Sequence, residues 1–379
     1  MMKEQKPVSC KCSDCRTERN TKKRRHYRRF FRGLIMAGLV CCLLVMLACA
    51  GYFFLQYRGR SSLNQRARET GNVELTLQLN DPVLPEKNKV LELQEGQILV
   101  EGEVYQYNEE ILTFLCMGID SRSGIIQEKI PGEAGQADVL MLLIVNPQKK
   151  EVDMVTINRD TMINVEVYDR DGIYLGEEKG QITLQYAYGN GREKSCELME
   201  KAVSTLFFGI PIHGYVAMDM KSIPTLNDAV GGVEVTILDD MTDDKKNWKK
   251  GEKVLLSGED ALYYIRQREV EVKETGSNIR RIQRQKQYLG LYVDKLKQRV
   301  SEDITFALSL LGELGKHLVT SLTVEEVAYL SGSLLNYHFS GDHMLSIPGE
   351  SVMGVNEEFY ADDRAIKQLV VKLFYEKVE

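Results

Sequence analysis

Val139-Leu140-Met141-Leu142-Leu143-Ile144-Val145 is followed by Asn146-Pro147-Gln148-Lys149-Lys150 and then by Glu151-Val152-Asp153-Met154-Val155-Thr156-Ile157. Two β-rich runs joined by a short polar, Pro-containing connection predict an antiparallel hairpin. Upstream, Ile111 to Met117 is a third such run, and like Val139 to Val145 it is almost continuously apolar. Such strands are buried on both faces, so the sheet is covered by other layers. In a hairpin centred on the turn, facing positions sum to about 297, which sets Asp138 opposite Arg159. If the first strand runs parallel to the third, Gly118-Ile119-Asp120-Ser121-Arg122 leaves the sheet at that same end. Asp120, Arg122, Asp138 and Arg159-Asp160-Thr161 then converge. Two carboxylates from different strands can hold a hard cation such as Mg²⁺ together with substrate phosphate oxygens. Arginines beside them meet phosphate through paired hydrogen bonds. The set points to phosphoryl chemistry, and ordinary Asp–Arg pairs that hold loops are the alternative.

A second cluster lies downstream. Gly258 to Ile265 forms a short element before Arg266-Gln267-Arg268, and Arg280-Arg281-Ile282-Gln283-Arg284-Gln285 follows a polar loop. From Asn278 onward the apolar spacing is helical, with Ile282, Leu289 and Val293 on the apolar side and Lys286, Lys295 and Lys297 exposed. Arg281 and Gln285 are four residues apart and share a face, with Arg284 beside them. A solvated basic face would look similar. Against that, the chain after residue 32 is net acidic, so arginines concentrated at 266, 268, 280, 281 and 284 build a local anion site where the average charge repels anions.

That acidic average emerges only when the chain is divided. The 379 residues hold 49 Lys and Arg against 55 Asp and Glu, a net charge of −6. Residues 1 to 32 carry 12 basic and 3 acidic residues, or +9, which leaves −15 for the rest. Between the two parts, Leu34 to Leu55 has 22 residues without a charge. As a helix it would reach about 33 Å, enough for a hydrocarbon core of roughly 30 Å. The run is longer than a signal-peptide core. Lys22-Lys23-Arg24-Arg25-His26-Tyr27-Arg28-Arg29 before it places the N-terminus in the cytoplasm and the remainder outside. The expected organisation is a basic cytoplasmic tail over 1–33, a transmembrane helix over 34–55, a linker over 56–88, and an extracytoplasmic domain over 89–379. Within that domain residues 111–296 carry the motifs and 297–379 complete the fold.

Six of the eight Cys fall in the first 49 positions, so the outer domain does not depend on disulfides. Cys10, Cys12 and Cys15 lack a matching second pair, and the tail reads as polar and unfolded rather than as a zinc site. Its basic run fits topology and contact with anionic membrane lipid better than nucleic acid. A content of 43% hydrophobic residues excludes a wholly disordered chain. No internal repeat occurs. Near Val90 to Tyr105 a small hairpin is expected at the domain entrance. Thr323-Val324-Glu325-Glu326 is a capping box opening a helix that runs to about Tyr337, and Asp362 to Glu376 is a last helix. The loop Ser121 to Ala137 reads as mobile, either a lid or an insertion. Met154, Met162, Met218 and Met220 read as fillers. His213 and His338 lie in no ligand pattern, and neither Ser121 nor Cys116 belongs to an acyl-transfer triad.

The motifs Gly118-Ile119-Asp120-Ser121-Arg122, Ala137-Asp138-Val139-Leu140, Arg159-Asp160-Thr161, Asp228-Ala229-Val230-Gly231-Gly232-Val233, Gly258 to Arg268, and Arg281-x-x-Arg284-Gln285 follow one another in an order that resembles the LytR-CpsA-Psr family. That resemblance implies an α/β fold, a three-layer α/β/α sandwich with a mixed central sheet enclosing an apolar tunnel for a polyprenyl tail. It implies a phosphotransferase that moves an anionic glycopolymer, such as a teichoic acid or capsular polysaccharide, from an undecaprenyl-pyrophosphate carrier to peptidoglycan. Asp120 and Asp138 would ligate Mg²⁺ or Mn²⁺. Arg122, Arg159, Arg266, Arg268, Arg281, Arg284 and Gln285 would grip the pyrophosphate, with Arg159, Asp160, Arg266 and Arg268 catalytic. Asp160 would order Arg159 or act as a base. Two departures stand out: Asn158 replaces the usual Pro, and Asn278 stands where an acid is common, which puts that carboxylate's contact in doubt. A non-catalytic lipid- or glycan-binding module and a membrane-anchored transcriptional attenuator are the other classes.

Overall fold

The computed structural model describes residues 51, 53–66, 79–80, 93–121, 124–242, 246–267, 276–339, 341–354 and 356–378. The chain divides into two units, Met1–Gln56 and Tyr57–Glu379. Of the first, only residues 51 and 53–56 are described, and they are helical. The expected tail and nearly all of the expected transmembrane segment lie outside the described residues. Among the described residues no helix is long and apolar enough to cross a membrane.

The second unit is built on a mixed six-stranded sheet. Its strands are β1 (Leu112–Ile119), β2 (Ala137–Asn146), β3 (Glu151–Ile157), β4 (Gly214–Asp219), β5 (Leu318–Thr320) and β6 (Met344–Ser346), in the spatial order β5-β4-β1-β2-β3-β6. The hairpin forms in the expected register: Leu140 faces Ile157, Leu142 faces Val155 and Val145 faces Val152, each pair summing to 297. Asn146 makes the turn, its Oδ1 accepting from the backbone N–H groups of Gln148 and Lys149 at 3.1 and 3.0 Å. β1 is antiparallel to β2 and therefore points the same way as β3.

Alternation along the strands separates two faces. On one, Leu115, Met117, Leu140, Leu142, Ile144 and Val155 are buried together with Cys196, Met199 and Val203 of α1 (Glu193–Leu206) and with Ile366, Val370 and Phe374 of α7 (Asp363–Phe374). On the other, Leu112, Phe114, Val145 and Val152 pack against Leu63 and against Tyr329 of α6 (Val324–Ser333). The helix α6 opens with the expected capping box: Thr323 Oγ1 accepts from Glu326 N at 3.3 Å and Glu326 Oε2 from Thr323 N at 2.8 Å. A third cluster joins α3 (Gly258–Arg266) and α4 (Gly276–Glu302) to a small hairpin of Val233–Thr236 and Lys253–Leu256 through Val233, Val235, Leu256, Ala261, Tyr264 and Tyr288, with Ile223 of α2 (Ser222–Ala229) and Phe306 of α5 (Phe306–Leu314) packed against it. The entrance hairpin pairs Gln97–Val100 with Glu103–Tyr107. Glu101 and Gly102 both have positive φ, 53° and 81°, the backbone that a two-residue hairpin loop demands.

The expected linker holds packed structure. Residues 57–66 are helical, and Leu63 is fully buried. Arg66 fastens this helix, donating to His213 O at 2.7 Å and Ser321 O at 3.1 Å and lying 3.4 Å from the buried carboxylate of Glu326. The approach at Gly59 is tight, since a Cβ there would sit 2.4 Å from Glu325 O. The segment's polar composition hid a narrow apolar contact made through Leu63. His213 is itself structural: buried, with Nδ1 against Thr113 N at 3.1 Å, and pushed down to about 4 by burial and by Arg66.

Candidate active site

Three strand ends meet as the sequence predicted. Ile119 at the end of β1 faces Ala137 at the start of β2, while Leu140 of β2 faces Ile157 at the end of β3. Asp120 N donates to Gln136 O at 3.1 Å, closing the pairing beyond the strands. The register slips between Gly118 and Ile119: Gly118 faces Val139 and Ile119 faces Ala137, so Asp138 is the extra residue of a β-bulge. A bulge breaks the in-out alternation and re-aims the side chain that it carries. Gly118 is needed opposite it, because a Cβ there would lie 2.9 Å from Val139 Cβ. The motif glycine and the motif aspartate are thus two halves of one irregularity.

Asp138 Oδ1 accepts from Arg159 Nη1 at 2.8 Å. The Arg159 side chain is 46% exposed and Asp138 23%, so the pair borders solvent and can be reached by a ligand. Burial opposes the arginine's charge, but Asp138, by its charge and its hydrogen bond, and then Asp160 and Glu357 raise its pKa. Arg159 Nε lies 3.7 Å from Asp160 Oδ1, near enough for attraction and too far for a hydrogen bond. Burial raises the Asp160 carboxyl; Arg159 works against that shift, and Glu357 and Asp138 add to it. Asn158 makes the local turn with its side chain, its Oδ1 accepting from Asp160 N at 3.0 Å.

The loop between Asp120 and Asp138 is tied down where it is described. Ile125 N donates to Lys316 O at 3.0 Å, Glu128 N to Asn190 O at 2.9 Å and Gly132 N to Ala187 O at 2.8 Å, and Arg192 Nη1 reaches Ile125 O at 3.1 Å. These bonds tie the flap of residues 124–136 to the rest of the unit at Ile125, Glu128 and Gly132. Arg122 lies outside the described residues.

Arginines of the second cluster separate into different roles. Arg266 ends α3 and is exposed, and Arg281, half-buried, and Gln285, exposed, sit one turn apart on α4. Gln285 Nε2 donates to Ile265 O at 3.1 Å, tying the arginine-bearing end of α3 to α4. Lys286, expected to be exposed, donates to Met344 O at 2.9 Å, which brings this stretch of α4 to β6, the neighbour of β3 in the sheet. Arg284 does not join the exposed set. Its side chain is 2% exposed and donates to Tyr264 O at 3.1 Å, to Asp239 Oδ2 at 3.2 Å and to Gln267 O. A guanidinium surrounded by three protein acceptors holds the loop after α3 and is not a pyrophosphate ligand. Arg268 lies outside the described residues, as does the side chain of Asn278.

One face of the sheet stays partly open at this end. Cys116, Val139, Met141, Val216, Met218 and Leu318 are partners across neighbouring strands and so share a face. All are apolar and none is fully buried; Val139, next to Asp138, is 37% exposed. The opposite face of the same strands is sealed, with Leu115, Met117, Leu140 and Ala217 at 2% exposure or less. Sequence reasoning missed three residues here. Thr183 ties the start of β2 to β3, its Oγ1 donating to Ala137 O at 3.0 Å and its N to Arg159 O at 3.2 Å. Gln181 and Glu357 border Asp160, Gln181 Nε2 donating to Asp160 Oδ1 at 3.0 Å and to Glu357 O at 2.8 Å. None of the three stands in a motif, and no spacing signal marks them.

Comparison with known proteins agrees with this architecture. The chain is similar to the polyisoprenyl-teichoic acid–peptidoglycan teichoic acid transferase TagU of Oceanobacillus iheyensis, 25% identical over 349 residues that make up 90% of this chain and 92% of that protein. It is 28% identical over 254 residues to the protein of the same name in Halalkalibacterium halodurans, covering 66% of this chain and 74% of that one. Among solved structures, TagV of Bacillus subtilis superposes with a TM-score of 0.52 at 23% identity, over 70% of this chain and 96% of its own, and shares the fold. The model of the LytR_cpsA_psr family matches residues 76–374, and the chain belongs to that family.

Proposed function

We propose that the domain is a phosphotransferase that moves an anionic glycopolymer, of the teichoic acid or capsular polysaccharide type, from an undecaprenyl-pyrophosphate carrier to a hydroxyl of peptidoglycan. The observation that carries this reading is the Asp138–Arg159 pair at a strand end, bordered by a half-open apolar face. A polyprenyl pyrophosphate is an anion joined to a long apolar chain, and the two surfaces match its two parts. The names of the relatives describe transfer of teichoic acid from a polyisoprenyl-linked form to peptidoglycan by those proteins.

Asp120 and Asp138, on adjacent strand ends, are a donor set that suits Mg²⁺ or Mn²⁺, which bind through few carboxylates with waters and phosphate oxygens completing the shell. Among the described residues no group of three or more His, Cys, Asp and Glu side chains could hold a metal by itself, so substrate oxygens would share the coordination. When bound, the ion neutralises charge on the pyrophosphate. The chain's own groups position the donor. In this reading Arg159, Arg266, Arg281 and Gln285 grip its pyrophosphate, and the motif residues Arg122 and Arg268 belong to the same set. Phosphoryl transfer asks mostly for such positioning and charge compensation. The acceptor hydroxyl oxygen forms a bond to the glycan-linked phosphorus, the bond to the polyprenyl phosphate oxygen breaks, polyprenyl phosphate leaves, and the hydroxyl proton passes to water. Asp160 orders Arg159. With water as acceptor the same site would act as a pyrophosphatase.

The uncharged run 34–55 and its basic flank support a single-pass protein with the domain outside the cell membrane. Full-length protein in detergent, given Mg²⁺ and a polyprenyl-pyrophosphate-linked glycan, should release polyprenyl phosphate. Chelation, Arg159→Ala and Asp138→Ala should each stop the release. Protein that retains the lipid without turnover would refute the transferase reading.

A further inference from the structure

We infer that Gln181 is a positioning residue of the transfer reaction: its side-chain amide holds the Asp160 carboxylate back from Arg159, so that the guanidinium stays turned toward Asp138 and an incoming pyrophosphate. The inference rests on the phosphotransferase reading above. Gln181 ends the second strand of the hairpin Met162–Tyr168 and Tyr174–Gln181, which leaves the sheet just after Arg159-Asp160-Thr161 and returns beside it, Met162 facing Gln181. The Gln181 amide nitrogen makes two bonds, at 3.0 Å to Asp160 Oδ1 and at 2.8 Å to Glu357 O. Glu357 opens the strand Glu357–Ala361, whose Phe359 N donates to Asp160 O at 2.9 Å. One amide thus joins Asp160, its own hairpin and the C-terminal hairpin.

The consequence falls on Arg159. Guanidinium and carboxylate that stand side by side normally close to a bidentate pair with N–O distances near 2.8 Å. Asp160 Oδ1 instead stands 3.7 Å from Arg159 Nε, and it is the oxygen that Gln181 holds. Among the described residues, Nη1 is the one Arg159 group with a hydrogen-bond acceptor, Asp138. Were Asp160 to close on Nε, the arginine would be drawn toward it and its charge taken up before any phosphate arrived. Among the described residues Gln181 makes no hydrogen bond to Arg159 or Asp138, so its effect runs through Asp160.

Gln181→Leu keeps most of the volume and removes both bonds. In the full-length enzyme it should lower kcat for both hydrolysis and transfer about 10- to 100-fold, the range for a misplaced catalytic group, while KM for the pyrophosphate donor stays within about threefold. In an Asp160→Asn background the same change should have almost no further effect, because the residue it acts through is altered. A crystal structure of Gln181→Leu should show the Asp160–Arg159 distance shortened from 3.7 Å to hydrogen-bond length. Wild-type kcat in Gln181→Leu, effects additive with Asp160→Asn, or an unchanged distance would each overturn the inference. Gln181→Ala, with thermal melting of both variants, separates a folding defect from a positioning one. An inactive wild-type enzyme would overturn the functional reading instead, and the distance in the variant crystal would still decide the role of Gln181.

Discussion

Replacing Arg284 by methionine tests the division of labour among the arginines. The side chain is 2% exposed and makes hydrogen bonds to Tyr264 O, Asp239 Oδ2 and Gln267 O. Methionine fills much of the space but donates nothing, so two carbonyls and a carboxylate lose their partner. Removing one member of a buried ion pair costs about 3–5 kcal/mol, because the other is left without compensation. Asp239 is 19% exposed and recovers some hydration, which sets the expected loss nearer 3 kcal/mol, a large share of a net stability of roughly 5–15 kcal/mol. In a domain of this size 1 kcal/mol moves Tm by about 2 °C, so melting should fall by about 6 °C. Arg284→Lys keeps the charge on one compact head that cannot span three acceptors, and should fall between. Circular dichroism melts and urea titrations on the full-length protein give both numbers. At a temperature where Arg284→Met is folded, donor KM should change little. A variant that melts within about 1 °C of wild type and loses donor affinity would refute the structural role and return Arg284 to the anion site.

Gly118→Ala should disturb the bulge by forcing a Cβ to 2.9 Å from Val139 Cβ, lowering turnover at least tenfold with the fold intact, and Val139→Gly, which removes that Cβ, should restore part of it. Burial lifts Glu200 from its ordinary value to about 7, so its folded form binds a proton that the unfolded chain releases: stability should decline as pH rises from about 5 to 8, and Glu200→Gln should flatten that slope in urea titrations. His213, pushed down to about 4, has the opposite sign, costing stability as pH falls from about 6.5 to 4, and His213→Asn should remove that limb. Arg66→Ala should loosen residues 57–66, read as faster amide exchange there than in β1, with about 2 kcal/mol lost from its charged hydrogen bonds.

The hairpin register was readable because a turn of fixed length sets every pair beyond it, and the pairing of Leu140 with Ile157 through Val145 with Val152 follows from Asn146 to Lys150 alone. The same reasoning gathers Asp120, Asp138 and Arg159. It could not supply the bulge, since one extra residue leaves no mark in a run of apolar residues, and so the direction of Asp138 was beyond reach. Arg284 failed for a different reason. Spacing on a helix says which residues are neighbours, but the sector that faces the core depends on where α3 lies, and Ile282 turned out 40% exposed while the arginine two positions on was buried. Gln181 meets Asp160 across the base of its own hairpin, 21 residues away, and Glu357 joins them from a second hairpin 176 residues beyond Gln181, so no local spacing marks the three.

The bulge at Asp138 also separates two kinds of inheritance in the chain. The inward and outward facing of Val139 to Asn146 is anchored from the turn side, by pairs that count back from residues 146 and 151. Whatever happens in residues 121–136 reaches the strand only at the single unpaired position, where it is absorbed. Insertions or deletions in the flap can therefore accumulate without reversing a single core side chain. The packing of the sheet is thereby independent of the length of the flap, which can vary beside the Asp138–Arg159 pair at no cost to the core.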